Sequence, residues 1–466
     1  MAGSGRHRSS EPGHGESGTS GPADPTQRRR ILLALVAGQI GLHAAMTGLR
    51  MALPLMLLRQ GAHGWLEAEA GAGLLLGLFA LAPVLTAVPA GRWTDRRGYH
   101  RPVRLAVVLV LLGGMLAVPA AAWPPGWPGS ILALLLLASA CLVGAGANLG
   151  LIAIQRSAGR LASHGLPMPA DSSVDSNGFG AAGEEALARA RLVELKRVFS
   201  WLGIAPSISN VIGPLLAGLL IDAGGFATAC VAMALLPLAT LWWSARVPQG
   251  LARGSAEAGA GKARTAADRP AVRHGVWALL RLPGLGGVLL VNWFFSSSWD
   301  LHMFLVPLVG HLQGLSASAI GAVLGVFALS VTAVRLMIPM LAERLTEHHV
   351  LAVAMAVVAA TFAVYPWAGN AWSMGACAVM LGLALGSVQP MIMSTMHQLS
   401  PADQQGEVIA LRSAVISLSS AVLPLVFGLL GGALGTTALF RGMALLLVCG
   451  LWLPRRLARG AEAKRG

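Results

Sequence analysis

Twelve stretches of this chain stay apolar for about twenty residues each, and that pattern leaves few folds open. They run over 31–57, 70–90, 103–122, 131–154, 199–221, 226–245, 286–309, 319–341, 350–368, 372–394, 408–430 and 434–453. About twenty apolar residues are what a helix needs to cross the hydrocarbon core of a bilayer. Within that core only helices and closed barrels satisfy every backbone donor and acceptor. Composition points the same way: of 466 residues 55% are hydrophobic and 12% charged, with a mean hydropathy of +0.66. A soluble domain carries roughly 25% charged residues. The expected fold is therefore an all-α membrane protein with twelve transmembrane helices.

A net charge of +14 would suit a nucleic-acid partner, but the positions of the charges exclude one. Of 34 Lys and Arg, five fall within spans (Arg50, Arg104, Arg335, Arg412, Arg441) and Arg59 falls alone on one side. The other 28 fall on the side that carries both termini. Basic excess marks the cytoplasmic face, so both termini are expected in the cytoplasm, with the chain multi-pass in the cell or inner membrane. Residues 1–27 are Gly, Ser, Pro and charge and are expected to be disordered. The apolar run after Arg28-Arg29-Arg30 is too long for a cleaved signal peptide. Cys141, Cys230, Cys377 and Cys449 lie far apart in apolar runs, which suggests neither a disulfide framework nor a metal site.

The connections divide the chain. Residues 28–245 hold six spans, 246–285 form a basic Ala/Gly-rich cytoplasmic loop, 286–453 hold six more, and 454–466 make a basic tail. The 155–198 connection contains Glu184 to Arg197, which reads as an amphipathic surface helix. Gly259-Ala260-Gly261-Lys262 lacks the upstream Gly and following Ser/Thr of a phosphate loop. The two halves echo each other. Pro54-Leu55 with Gln60-Gly61 matches Pro307-Leu308 with Gln313-Gly314, and Leu76 to Leu81 matches Leu324 to Leu329. Pro214 to Leu220 matches Pro424 to Leu430. Echoes in the same order imply a duplicated unit.

Between the second and third runs lies Gly91-Arg92-Trp93-Thr94-Asp95-Arg96-Arg97-Gly98-Tyr99-His100-Arg101, expected to form a tight turn at the membrane surface. Its G-x-x-x-D-R-x-G-x-x-R spacing resembles the loop between spans two and three of the major facilitator superfamily of transporters, with Trp93 and Thr94 where Leu and Ala are usual. A degenerate copy recurs after span eight, where Glu343-Arg344 keep the acid-Arg pair. The resemblance covers roughly 31–453 and implies two pseudo-symmetric six-helix bundles with substrate near the midplane. It also implies that Gly91, Asp95, Arg96 and Gly98, with Glu343 and Arg344, gate the cytoplasmic side. Asp95 is then expected to dock on the second half near Glu407 and Arg412. The small residues around Gly213, Pro214 and Gly218 on span five resemble the signature of exporters that work by antiport.

Polar residues at helical spacing mark two faces. Gln39, His43, Thr47 and Arg50 form one on span one; Asn292, Ser296 and Asp300, with Trp293 and Trp299 alongside, form the other on span seven. Polar groups in hydrocarbon are costly, so both are expected to face an aqueous cavity or each other. The resemblance implies that spans one, four, seven and ten line the substrate cavity, adding Asn148, Gln155, Gln389 and His397. Arg104, Arg335, Arg412 and Arg441 are near enough to span ends to snorkel. Arg50 and Asp300 are not. They are expected to pair when the outer side is closed and to separate as it opens, which frees Asp300 to take a proton.

The resulting reading is a monomeric, cofactor-free secondary transporter of a small organic solute, proton-coupled and exporting. Proton-linked uptake and a non-transporting sensor on the same fold are the alternatives. An enzyme is not expected: His-Glu-x-x-His and Gly-x-Ser-x-Gly are absent, and Glu347-His348-His349 has the wrong spacing for a zinc helix.

Overall fold

The computed structural model describes residues 25–59, 68–124, 128–163, 179–248, 280, 284–341, 346–400 and 405–453, and every regular element among them is helical. Glu343, Arg344, the terminal segments and most of the central connection lie outside the described residues. The first half consists of α1 (Pro25–Arg59), α2 (Ala68–Arg97), α3 (His100–Leu116), α4 (Val118–Ala121), α5 (Gly129–Ser163), α6 (Phe179–Leu235) and α7 (Leu238–Ser244). The second consists of α8 (Leu285–Leu312), α9 (Ala317–Leu341), α10 (Glu347–Val364), α11 (Ala371–Leu399), α12 (Gln405–Leu434) and α13 (Thr436–Gly450).

Among the described residues nine helical segments are long and apolar enough to span a membrane. The twelve-run pattern accounts for the rest. Arg197–Ser244 counts as one segment, but Gly225, at φ 80, kinks it into two spans. Asn292, Asp300 and several Ser and Trp lower the hydropathy of the 28-residue α8. Thr436–Gly450 is short but apolar.

Proline corrects two expected spans. The third is interrupted at Ala117 and the sixth at Leu236–Pro237. Pro119 and Pro237 lack an N–H and crowd the carbonyl four residues back, so neither helix runs through unbroken.

The Gly91–Arg101 stretch is not a turn over its whole length. α2 continues through Arg97, α3 starts at His100, and the chain reverses within two residues. Gly98 makes that possible at φ 74, a conformation open to glycine at little cost, with its N–H on the Thr94 carbonyl at 3.0 Å.

The halves are joined most closely at the end away from the termini. A Cβ on Gly73 would strike the Pro424 carbonyl, and one on Gly77 would come within 2.6 Å of the Ala421 carbonyl, so α2 and α12 touch backbone to backbone. A Cβ on Gly218 would strike Ala317 and one on Gly321 the Pro214 carbonyl, which draws α6 equally close to α9. Small residues allow this approach in a bilayer, where packing rather than hydrophobic collapse holds helices together. Asp222, at the end of span five, accepts hydrogen bonds from the N–H groups of Ala317 (2.9 Å) and Ser318 (2.7 Å). It thereby caps the N-terminus of α9 from the opposite half. Arg59 adds a bond to the Leu315 carbonyl at 3.3 Å.

Candidate substrate and proton cavity

Between the halves lies a cavity of about 380 Å³, within the range of small-molecule sites. α8 supplies Asn292, Ser296, Trp299 and Asp300; α9 supplies Arg335; α11 supplies Gln389; α12 supplies Arg412, Ile416 and Ser420; and Arg50 of α1 completes it. The cavity opens towards the termini, where Arg335 and Gln389 are exposed, and deepens to Asp300, which is 4% exposed.

Asn292, Ser296 and Asp300 recur every four residues on one side of α8 and line this cavity together. Trp293 points elsewhere and packs on Phe294, ring centroids 5.6 Å apart.

The span-one face divides. Arg50 reaches the cavity, while Thr47 donates to the Ser209 carbonyl on α6 at 3.0 Å. His43 hydrogen-bonds Asn210 on the same helix. Gln39 is 2% exposed and is not part of the wall. Thr47 and His43 belong to the α1–α6 seam, where Gly213 is required because a Cβ there would strike Thr47 Oγ1. The Gly213-Pro214-Gly218 run is thus occupied in packing, against α1 on one side and α9 on the other.

Gln389 lines the cavity and accepts from Arg335 Nη2 at 3.0 Å. His397 lies beside a separate small pocket with Met396 and Val408. Asn148 donates to the Pro83 carbonyl at 3.0 Å, a helix–helix bond between α5 and α2. Gln155 is exposed.

Two expectations fail here. Arg335 and Arg412 do not snorkel; both face the cavity, and Arg412 Nε donates to Asn292 Oδ1 at 3.1 Å. Arg412, Ile416 and Ser420 share one face of α12, and its apolar middle residue hides the stripe from a sequence reading. Nor do Arg50 and Asp300 form a direct ion pair, although the far end is closed. Ser420 Oγ donates to Asp300 Oδ2 at 2.8 Å, and Arg50 acts on the carboxylate only through its field. The hydroxyl satisfies the carboxylate locally, so the arginine is not drawn across the cavity.

Asp95 is held within its own half in this conformation, whose cavity opens on the side that the expected dock would close. It pairs with Arg156 Nη2 at 2.7 Å, and Arg156 Nη1 donates to the Thr94 carbonyl, tying the α2–α3 corner to α5 within the first half. Contact with the second half is not needed to hold Asp95, because the end of α5 brings a cation within reach. In the second half Glu347, at the start of α10, accepts from Ser394 at 2.8 Å and Gln398 at 2.9 Å on α11. Arg96 is exposed, and a Cβ on Gly91 would meet no neighbour, so this arrangement places no demand on either residue.

The sequence profile of the Major Facilitator Superfamily matches residues 35–374 and 288–465. Among curated proteins none matches the chain. Several solved transporters share the fold. A POT family transporter crystallised with a thioalcohol-conjugated peptide superposes with TM-score 0.66 at 11% identity, over 92% of this chain and 96% of that one. The human organic anion transporter MFSD10 (TETRAN) gives 0.55 at 17%, over 92% and 100%. A bacterial homologue of the iron transporter ferroportin, in an inward-facing state, gives 0.62 at 15%, over 92% and 98%. At these identities the likeness is one of fold. The profile match extends over most of the sequence, and the chain belongs to the major facilitator superfamily.

Proposed function

We propose that this protein is a secondary transporter that exports a small organic solute by alternating access, driven by a proton gradient. The observation that carries the reading is the cavity. It lies between two six-helix halves, is walled by polar residues, is sealed at one end by glycine-mediated packing and opens at the other. A charge in a span costs about 2.5–3.5 kcal/mol on insertion scales, so charges clustered around one cavity imply use. Among the described residues Asp300 is the one carboxylate in its wall, and it is the residue to which we assign the proton. In this reading both termini are cytoplasmic, the protein works as a monomer, and the open mouth faces the cytoplasm. Export is favoured by the resemblance of the Gly213-Pro214-Gly218 run to the exporters' signature, and Pro214 and Gly218 face α9 across the seam that must open on the far side.

Everted membrane vesicles from cells expressing the chain test this. Acidifying their interior should drive uptake of a solute from a panel of small organic compounds, and a protonophore should abolish it. Uptake no greater than in vesicles lacking the protein, across the panel, would contradict the reading.

A further inference from the structure

The cavity has a chemical bias that transport as such does not require. Among the described residues three guanidinium groups, Arg50, Arg335 and Arg412, face it against a single carboxylate, Asp300. Several of its polar atoms are already paired: Asn292 Oδ1 accepts from Arg412, Gln389 Oε1 from Arg335 and Asp300 Oδ2 from Ser420. Two of its donors are not. Arg50 Nε and Asn292 Nδ2 are buried without a hydrogen-bond partner, and Asn292 is 5% exposed. Buried polar groups without partners are rare and costly unless a ligand completes them. A wall with spare donors and surplus positive charge matches a ligand that brings negative charge and several acceptor oxygens, which guanidinium groups bind in a bidentate manner. Trp299, Phe295, Leu385, Val388 and Ile416 supply apolar wall around these donors.

From this we propose that the solute is an organic anion, a small apolar body bearing a carboxylate, sulfonate or phosphate group. Arg50, Asn292, Arg335 and Arg412 hold the anionic group. The proposal rests on the transport reading for its physiological meaning, but its chemistry is testable without turnover.

The full-length protein, purified in a neutral detergent, is heated with benzoate or benzenesulfonate, and separately with neutral benzamide or cationic benzylamine, at equal ionic strength. The anions are expected to raise the unfolding midpoint and the other two to leave it unchanged, since a ligand that binds only the folded state stabilises it. Arg335→Gln and Arg412→Gln are each expected to need on the order of tenfold more anion for the same shift. A short-chain phosphatidylglycerol forms a separate arm, and stabilisation by this lipid with neither soluble anion effective would overturn the small-solute assignment.

Ser296→Cys supplies a readout independent of which anion fits. Normalised to their rates with a free thiol, a sulfonate-bearing thiosulfonate should modify the cavity cysteine several-fold faster than a trimethylammonium one. Arg412→Gln should shrink that ratio. A faster reaction with the cationic reagent, or equal stabilisation by benzylamine and benzoate, would overturn the proposal. A protein that passes both tests but supports no flux would refute the transport reading and leave the anion site standing.

Discussion

At the scale of single residues, position in a span was a poor guide to role, and direction around the helix was a good one. Asn292, Ser296 and Asp300 were legible because three polar residues at spacing four have no reason to face lipid. Arg335 and Arg412 were not, because an arginine near a span end has a cheap route to the interface and nothing local says which way it turns. Asp95 is a different case: the family role implies a partner in the other half when the termini side closes, and with that side open Asp95 pairs with Arg156 at 2.7 Å within its own half. That pair is partly exposed, with side chains 62% and 26% accessible, so its ionic part is worth at most about 1 kcal/mol. Asp95→Asn is accordingly expected to lower thermal stability by less than about 1 kcal/mol. Arg156→Ala also loses the bond to the Thr94 carbonyl and is expected to cost more, roughly 1–3 kcal/mol. Denaturation midpoints of the two purified variants check the order, and equal losses would contradict it.

Elements were legible where the period of apolar residues is long, and the twelve runs correspond to helices throughout the described residues. Their interruptions were present in the sequence as Pro119, Gly225 and Pro237. A proline inside an apolar run of twenty reads equally well as a kink or a break, since neighbouring helices can satisfy the freed carbonyl. The far-end seam was less visible. Gly73, Gly77, Gly218 and Gly321 are four among 58 glycines, and what marks them is that the backbone they face belongs to the other half. Asp222 follows the fifth apolar run and is a cap on α9 across the halves. Asp222→Asn should weaken the closed far end by about 1–2 kcal/mol, a factor of roughly 5–30 between conformations. Labelling of Ser296→Cys by an impermeant reagent applied from the far side should rise accordingly. Labelling unchanged from the parent would show that the cap does not hold that end closed. Gly321→Val should act more strongly, because its Cβ meets the Pro214 backbone, which cannot move aside.

For the whole molecule, duplication explains the geometry. Two halves built from one plan meet along α2–α12 and α6–α9, and the space left between them is the cavity. Rocking about such seams exchanges the open end without rebuilding either half. If the cargo is an anion, export also gains from a negative-inside potential, at about 2.3 kcal/mol per charge per 100 mV. The central claim is that Asp300 carries the proton that couples this exchange to the gradient. It is tested most directly by reconstituting wild type and Asp300→Asn and measuring, for one transported solute, proton-driven flux beside solute–solute exchange across a range of pH. The account predicts that Asp300→Asn retains exchange but loses the gradient-driven component and its pH dependence. Driven flux at the wild-type level with the wild-type pH profile would contradict it.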